Sequence, residues 1–396
     1  MRVLLSALGC NPNKGSEPHV AYRTLMAAAS RHDVWLLTNN GDAEVLSEHL
    51  DGHQLRKRIR IYGIPLGYDV SHEPSRGLVQ FHYDRWQRRA GKLGLALDAD
   101  VDFDLVHHVS FAAYWMRSGV AEVNKPFVLG PVGGGVHPPL GLVCELGVRG
   151  AVTDAGRIIG RWLYARTAGP RRTRAQADLI LLQNPATGKR FRARGERQIL
   201  PNALAAEVET SSPITRTNDI VVVGRLLPLK GGTLALRAFR HVSHPNARLR
   251  FYGDGSELPR LQKRAQRLGL EDVVSFERTI PRAALLARVA AAGVLLHPAL
   301  HEEASLAVAE ALMLGTPVVT LDHGGPAEVV RRFPDAPAIC VSPSTPRGTA
   351  RRIASAVEQF LDCPPPPGSA PRFPTTRYAD SILAVYDQFG RQGVEF

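Results

Sequence analysis

"VVVGRLLPLKGGTLALRAF", Val221 to Phe239, is the stretch whose reading decides the fold. A short β-branched run leads into a loop with Arg225 and Lys230, then Gly231 and Gly232, then a helical pattern. Two cations five positions apart at the carboxyl end of a strand, beside a Gly-rich helix start, offer a diphosphate both charge and free backbone N–H groups. The order of residues is not that of a Walker A loop, G-x-x-x-x-G-K-[ST].

The same strand–loop–helix unit repeats outward in both directions. Before residue 203 the apolar runs "RVLLSAL", "HDVWLLT", "RIRIYGI", "DLVHHVS", "PFVLGPV" and "DLILLQN" read as buried strands, with helical patterns such as "HVAYRTLMAAASR" between some of them. After residue 218 follow "DIVVVGR", "ARLRFYG", "VVSFER", "GVLLHPA" and "TPVVTLD". Alternation of this kind predicts parallel sheets wrapped by helices. A chain of 396 residues exceeds what one core usually covers, so the expectation is two doubly wound α/β domains. Their bounds are read as 1–203 and 219–374, with a polar linker over 204–218. A Pro-rich connector, "CPPPPGSAPRFP", then leads to an amphipathic helix within 375–396 that carries Tyr378, Ile382, Leu383, Val385, Tyr386 and Phe389. Open parallel sheets bind ligands beyond the carboxyl ends of their strands. A cleft between the two domains is therefore expected to hold two substrates.

The exit of the strand "GVLLHPA" reads "HEEASLAVAE". Ser305 is placed to cap a helix beginning at Leu306, which puts Glu302 ahead of the helix and Glu310 about one turn inside it. Free amides and the positive dipole end suit a phosphate. A carboxylate on either side suits the hydroxyls of a sugar and of a ribose. Two further Gly-rich loops, "NPNKGSEPHV" with Gly15 and Ser16 and "GPVGGGVHPP" with Gly134 and Gly135, permit close approach of backbone to a ligand. His137 beside the second loop, and His107 with His108 in "DLVHHVS", compete for a catalytic role.

The run "DADVDFD", Asp98 to Asp104, lacks the Gly and Glu an EF-hand loop needs and enters a strand, so it reads as a solvated loop and no metal site is expected. Cys10, Cys144, Cys340 and Cys363 form no C-x-x-C, which excludes zinc-ribbon and disulfide-framework classes. "MRVLLSALGC" resembles a short export signal but reads better as a first strand. No apolar run reaches the 18 residues of a membrane span. The net charge of +12 is spread along the chain rather than gathered into a nucleic-acid motif. It is densest in "RIIGRWLYARTAGPRRTRAQAD", where Ile158, Ile159, Trp162 and Leu163 recur at helical spacing. Two readings of 157–174 follow: a helix packed on its own domain with a solvated arginine face, or a peripheral contact with a membrane surface.

Together these residues resemble the family-4 retaining glycosyltransferases. "GRLLPLKGG" is similar to that family's G-R-L-x-x-x-K-G loop, and "EEASLAVAE" to its E-x7-E signature. "FYGDGSELPRL" is similar to its G-D-G-x-E segment, and "NKGSEPHV" with "GPVGGG" to a bacterial subgroup with GSEP and GPVGGG loops. The resemblance implies the GT-B fold of two facing Rossmann-like domains with an interdomain cleft, the last helix crossing back to the N-terminal acceptor domain. It implies that Arg225 and Lys230 hold the diphosphate, Glu302 the sugar, the amides near Ser305 and Leu306 the phosphates, and Glu310 the ribose. Ser305 stands where the family usually has Gly, and Glu303 where it usually has Pro.

The expected activity is metal-independent, retaining transfer of a sugar from a nucleotide-sugar co-substrate, UDP- or GDP-linked, with no other cofactor. The acceptor is a natural product, a lipid-linked saccharide or a polysaccharide. A GT-B epimerase and a non-catalytic sugar-nucleotide- or lipid-binding protein are the alternatives. The expected location is cytoplasmic, or peripheral at the inner face of the membrane, with no nucleic-acid partner.

Overall fold

All eleven apolar runs form strands in the computed structural model, and two further strands complete its sheets at their edges. The structure describes residues 1–15, 17–66, 76–190, 195–206, 208, 215–366 and 377–391. In chain order the strands are β1 (Arg2–Ala7), β2 (Asp33–Asn39), β3 (Ile59–Ile64), β4 (Leu105–Ser110), β5 (Phe127–Val132), β6 (Leu179–Leu182) and β7 (Glu196–Ile199). They continue with β8 (Asp219–Val223), β9 (Arg248–Tyr252), β10 (Val274–Glu277), β11 (Val294–His297), β12 (Val318–Leu321) and β13 (Ala338–Val341).

One sheet has the order β3-β2-β1-β4-β5-β6-β7, the other β10-β9-β8-β11-β12-β13, and the pairings in both are parallel. Helices cover both faces of such a sheet, so its inner strands are apolar throughout rather than alternating. The strands β4, β5, β11 and β12 are buried along their whole length. By contrast β7, "ERQI", and β13, "AICV", carry the partly exposed pattern of edges, which apolar runs do not mark.

The chain divides into two compact units: Met1–Gly135 with Ile159–Ala205 and Arg377–Phe396, and Val136–Ile158 with Ala206–Thr376. The first is centred on Leu4, Leu37, Trp86, Phe103, Val106 and Phe127. In the second, Val222, Leu249, Phe251 and Leu296 pack with Leu234 and Ile353. The segment Val136–Ile158 therefore belongs with the second unit, although 1–203 was expected to be one domain. Residues 207 and 209–214 of the expected linker lie outside the described residues.

The last helix, Tyr378–Arg391, belongs to the first unit. There Tyr378 shares a 3.0 Å hydrogen bond with Thr24, and Ile382 and Tyr386 are fully buried. The "DADVDFD" run is less a solvated loop than a joint. Asp98, in the last turn of the long helix Arg76–Val101, accepts the Phe103 N–H at 2.8 Å. Asp104 accepts from Arg2 at 3.2 Å, and Asp102 pairs with Lys125.

Candidate functional site

In each sheet the strand order reverses once, between β1 and β4 and between β8 and β11. Ligands of open parallel sheets settle beyond the carboxyl ends of the strands at such a point. In the second unit Ile220 of β8 pairs with Val294 of β11, and the loops leaving these two strands carry Arg225, Lys230 and Glu302.

Backbone contacts fasten the two loops together. Leu229 C=O accepts the N–H groups of Leu300 and His301, at 2.9 and 3.2 Å. Gly231 has φ 74°, and a Cβ there would lie 2.0 Å from the Pro298 carbonyl oxygen. Only glycine satisfies both the left-handed backbone and that approach. The result brings Lys230 Nζ into an ion pair with Glu302 Oε2, both side chains keeping some exposure. Arg225 is exposed on the same loop.

Ser305 caps the helix Leu306–Met313, its Oγ accepting the Val308 N–H at 3.3 Å. Glu302 therefore sits just ahead of a helix start and Glu310 within the helix, buried. Burial alone would raise the Glu302 carboxyl, but contact with His297, Nε2 to Oε2 at 3.7 Å, and the Lys230 ammonium outweigh it and hold the group below the usual glutamate value. For Glu310 the balance reverses. Burial pushes it up, and Arg282, donating to Oε1 at 2.5 Å, offsets this only in part.

A second ring of contacts supports the first. Glu302 C=O accepts the Gly325 N–H at 3.0 Å, tying the start of helix Gly324–Arg331 to the same loop. Glu303 Oε1 accepts the Val136 N–H at 3.1 Å and lies 3.5 Å from His301 Nε2. His323 Nε2 donates to the His137 carbonyl at 2.6 Å, and the rings of His137 and His301 meet edge-on at 6.4 Å. The backbone at Val136 and His137 is thus fixed by Glu303 and His323. Glu303 makes a bond that the proline usual at this position has no side-chain group to make.

Comparison with known proteins places this arrangement. Residues 207–364 match the family described as Glycosyl transferases group 1. The 2-deoxystreptamine glucosyltransferase of Streptomyces kanamyceticus is 30% identical over 302 residues, 73% of this chain and 69% of that one. The chain belongs to the group 1 glycosyl transferases. An exopolysaccharide phosphotransferase of Streptomyces coelicolor is 34% identical over 39% of this chain, a match that spans 16% of that protein's length. Among solved structures, Anabaena HepE in complex with UDP superposes with a TM-score of 0.53 at 18% identity, covering 100% of this chain and 99% of that one. Two parallel-sheet Rossmann-like units of this kind constitute the GT-B fold.

The group 1 match includes Arg225, Lys230, Glu302, Ser305, Leu306 and Glu310 and leaves out the other expected site residues. Those others have different surroundings. His107 is wholly buried, with Nδ1 2.8 Å from Tyr386 Oη and Nε2 2.9 Å from Gly130 O. A carbonyl only accepts, so Nε2 carries the proton and Nδ1 accepts from the tyrosine. That leaves no ring nitrogen for a ligand, which removes His107 from the site. Gly134, with φ 100°, makes room for the Trp115 ring, and Gly135 for the backbone of Thr187. Their lack of side chains is explained by packing inside the protein. Gly15 is exposed with open space around it, and Ser16 lies outside the described residues.

Arg282, His297, His301 and His323 were missed in the sequence. His297 had a readable signal, as a polar residue ending a buried strand. Arg282 had none, since it meets Glu310 across 28 residues from the start of another helix.

Proposed function

We propose that the chain is a retaining glycosyltransferase that moves a sugar from a nucleotide-sugar donor to an acceptor hydroxyl. The observation that carries this reading is the Lys230–Glu302 pair at the switch point of the second sheet, beside the Ser305-capped helix start. A diphosphate is drawn to Lys230, to the exposed Arg225 and to the amides near Ser305 and Leu306. In taking over Lys230 it frees the Glu302 carboxylate to accept from the sugar hydroxyls. A carboxyl held below its usual range is an acceptor at neutral pH, unlike the raised carboxylic acid that glycoside hydrolysis needs. Glu310, with one oxygen on Arg282, is assigned to the ribose.

The chemistry is stabilisation of the leaving group. As the bond from the anomeric carbon to the phosphate oxygen breaks, negative charge grows on the diphosphate where Lys230, Arg225 and the helix start already stand. The acceptor hydroxyl attacks from the same face, its proton passing to the departing phosphate, and no protein nucleophile takes part. His137 is assigned to the sugar side of the site. No metal or other cofactor is invoked, so EDTA is expected to leave the rate unchanged. The UDP complex of HepE makes UDP-sugars the first donors to test, before GDP-sugars.

Thermal-shift screening with UDP-, GDP-, ADP- and dTDP-sugars tests the donor, and NMR of the product anomer tests retention. Stabilisation by one donor class is expected, lost in Lys230→Ala. If no nucleotide sugar stabilises the fold the reading is wrong. An inverted product refutes retention alone.

A further inference from the structure

We propose that the outer face of the helix Gly147–Tyr164, with the basic segment after it, docks onto an anionic lipid surface. Eight large hydrophobic residues are conspicuously exposed among the described residues, and five of them lie on this helix: Val148 (83%), Val152 (67%), Ile159 (59%), Trp162 (50%) and Leu163 (55%). A sixth, Leu140, stands just before it at 94%. Spacings of four, seven, three and one put the five in a single stripe, a period that closes every 3.6 residues.

The helix is inverted relative to a normal surface helix. It turns inward Asp154, 6% exposed and paired with Arg157, while Tyr164 donates to Asp84 at 2.5 Å. The apolar face, which either packs or marks an interaction surface, is the one left outside. Packing on its own domain through that face, one of the two readings of 157–174, is therefore not what the structure has. The stripe also starts earlier than that reading did, at Val148.

Charge selects the occupant. Between residues 140 and 176 the acidic residues are Glu145 and Asp154, and both are buried. Arg149, Arg166, Arg171 and Arg172 are exposed over the same stretch. The Arg166 guanidinium lies 3.3 Å from the centroid of the Trp162 ring, a basic and aromatic combination suited to the headgroup level of a bilayer. A Cβ at Gly156 or Gly160 would meet nothing within 4 Å, so the flank of the stripe is bare and the helix can lie flat. A second copy of the chain would set these arginines against their own kind, in a protein whose net charge is already +12. Nucleic acid would use the arginines and leave the apolar stripe uncovered. Among the described residues no helix is long and apolar enough to cross a membrane. The proposal does not depend on the transferase reading.

The test is flotation of the full chain with vesicles of phosphatidylcholine containing phosphatidylglycerol, against phosphatidylcholine alone. Binding to the anionic vesicles is expected, weakened about a hundredfold when Arg166, Arg171 and Arg172 are changed to Gln. Ile159→Glu with Trp162→Glu is expected to weaken it at least about tenfold. Both sites are half or more exposed, and an unchanged melting temperature checks that these variants stay folded. Lys230→Ala is expected to float like the wild type. A wild type that stays with the unbound fraction, or one that floats equally with both vesicle types, overturns the proposal. So does a concentration-dependent dimer that the double Glu variant abolishes, which would make a second copy the occupant.

Discussion

The two switch points of this protein occupy equivalent places in two similar sheets, yet they treat polar residues in opposite ways. In the second unit the loops after β8 and β11 bring Lys230 and Glu302 together with part of each side chain still open to solvent. In the first, Asp42, 1% exposed, lies beside the loop after β1. It accepts from the Cys10 N–H at 3.1 Å, the Asn11 amide at 2.8 Å and the Asn39 amide at 2.9 Å, and pairs with Lys14 at 2.7 Å. In the middle of β4, His107 and His108 are buried in the core. One switch point holds exchangeable charge and the other has spent its polar groups on its own architecture. A polar residue at a strand exit is a site candidate only when its neighbours leave its bonding capacity unspent.

The sharpest way to break this contrast is at its chemical end. Lys230→Ala should lower turnover between about a hundredfold and a thousandfold, the range for one preorganised donor at a developing charge. Its melting temperature should be little changed, because the ammonium is partly exposed. A Lys230→Ala protein that unfolds would mean the pair is architectural, like Asp42.

The next effect belongs to the first unit and to pH. Burial lowers His107 to about 4 and His108, with its charge disfavoured further by His107, to about 3. An unfolded histidine titrates near 6.5, so below that value the unfolded chain binds protons that the folded one refuses. Stability from these groups is complete above about pH 6.5 and falls as pH drops through the folded values, on the order of 3 kcal/mol for His107. Chemical denaturation at pH 7.5 and at pH 5 should show the loss, and His107→Gln should make it smaller. An equal slope in the variant would remove His107 as its source.

Asp42→Ala should come third, costing about 2 kcal/mol. It strands the buried Cys10 N–H and the Asn11 amide, while the Asn39 amide keeps the Leu8 carbonyl and Lys14 is exposed enough to find water. The readout that separates it from Lys230→Ala is donor binding. Asp42→Ala should bind nucleotide sugar normally at a temperature where it is folded.

The legibility of the sequence followed the same division. Strands buried on both faces announced themselves as apolar runs, whereas the edge strands β7 and β13, half exposed and only four residues each, did not. The loops of Arg225 and Lys230 and of Glu302 and Ser305 were readable because these residues lie within short spans where spacing fixes geometry. His107 was misleading because its partners Gly130 and Tyr386 lie 23 and 279 residues away, and no local pattern reports them. The same holds for Asp154. In sequence it is one acid in a basic helix, and only the fold makes it the inward anchor that turns Ile159 and Trp162 outward.

The smallest predicted effect tests where Ser305 spends its hydroxyl. Its Oγ is engaged by the Val308 N–H at 3.3 Å, as an N-cap should be, and its backbone at φ −137° is one that any residue adopts. Ser305→Ala should therefore cost about 1 kcal/mol of stability, and Ser305→Gly only a few tenths. If capping is the whole role, both variants keep the wild-type preference among donor sugars, and the affinity for nucleotide falls only as the helix start frays. A changed sugar preference at unchanged stability would show that the hydroxyl leaves Val308 for the ligand. Ser305 would then belong with Lys230 and Glu302, as a group whose resting partner yields to the substrate, and not with Asp42, whose partners do not.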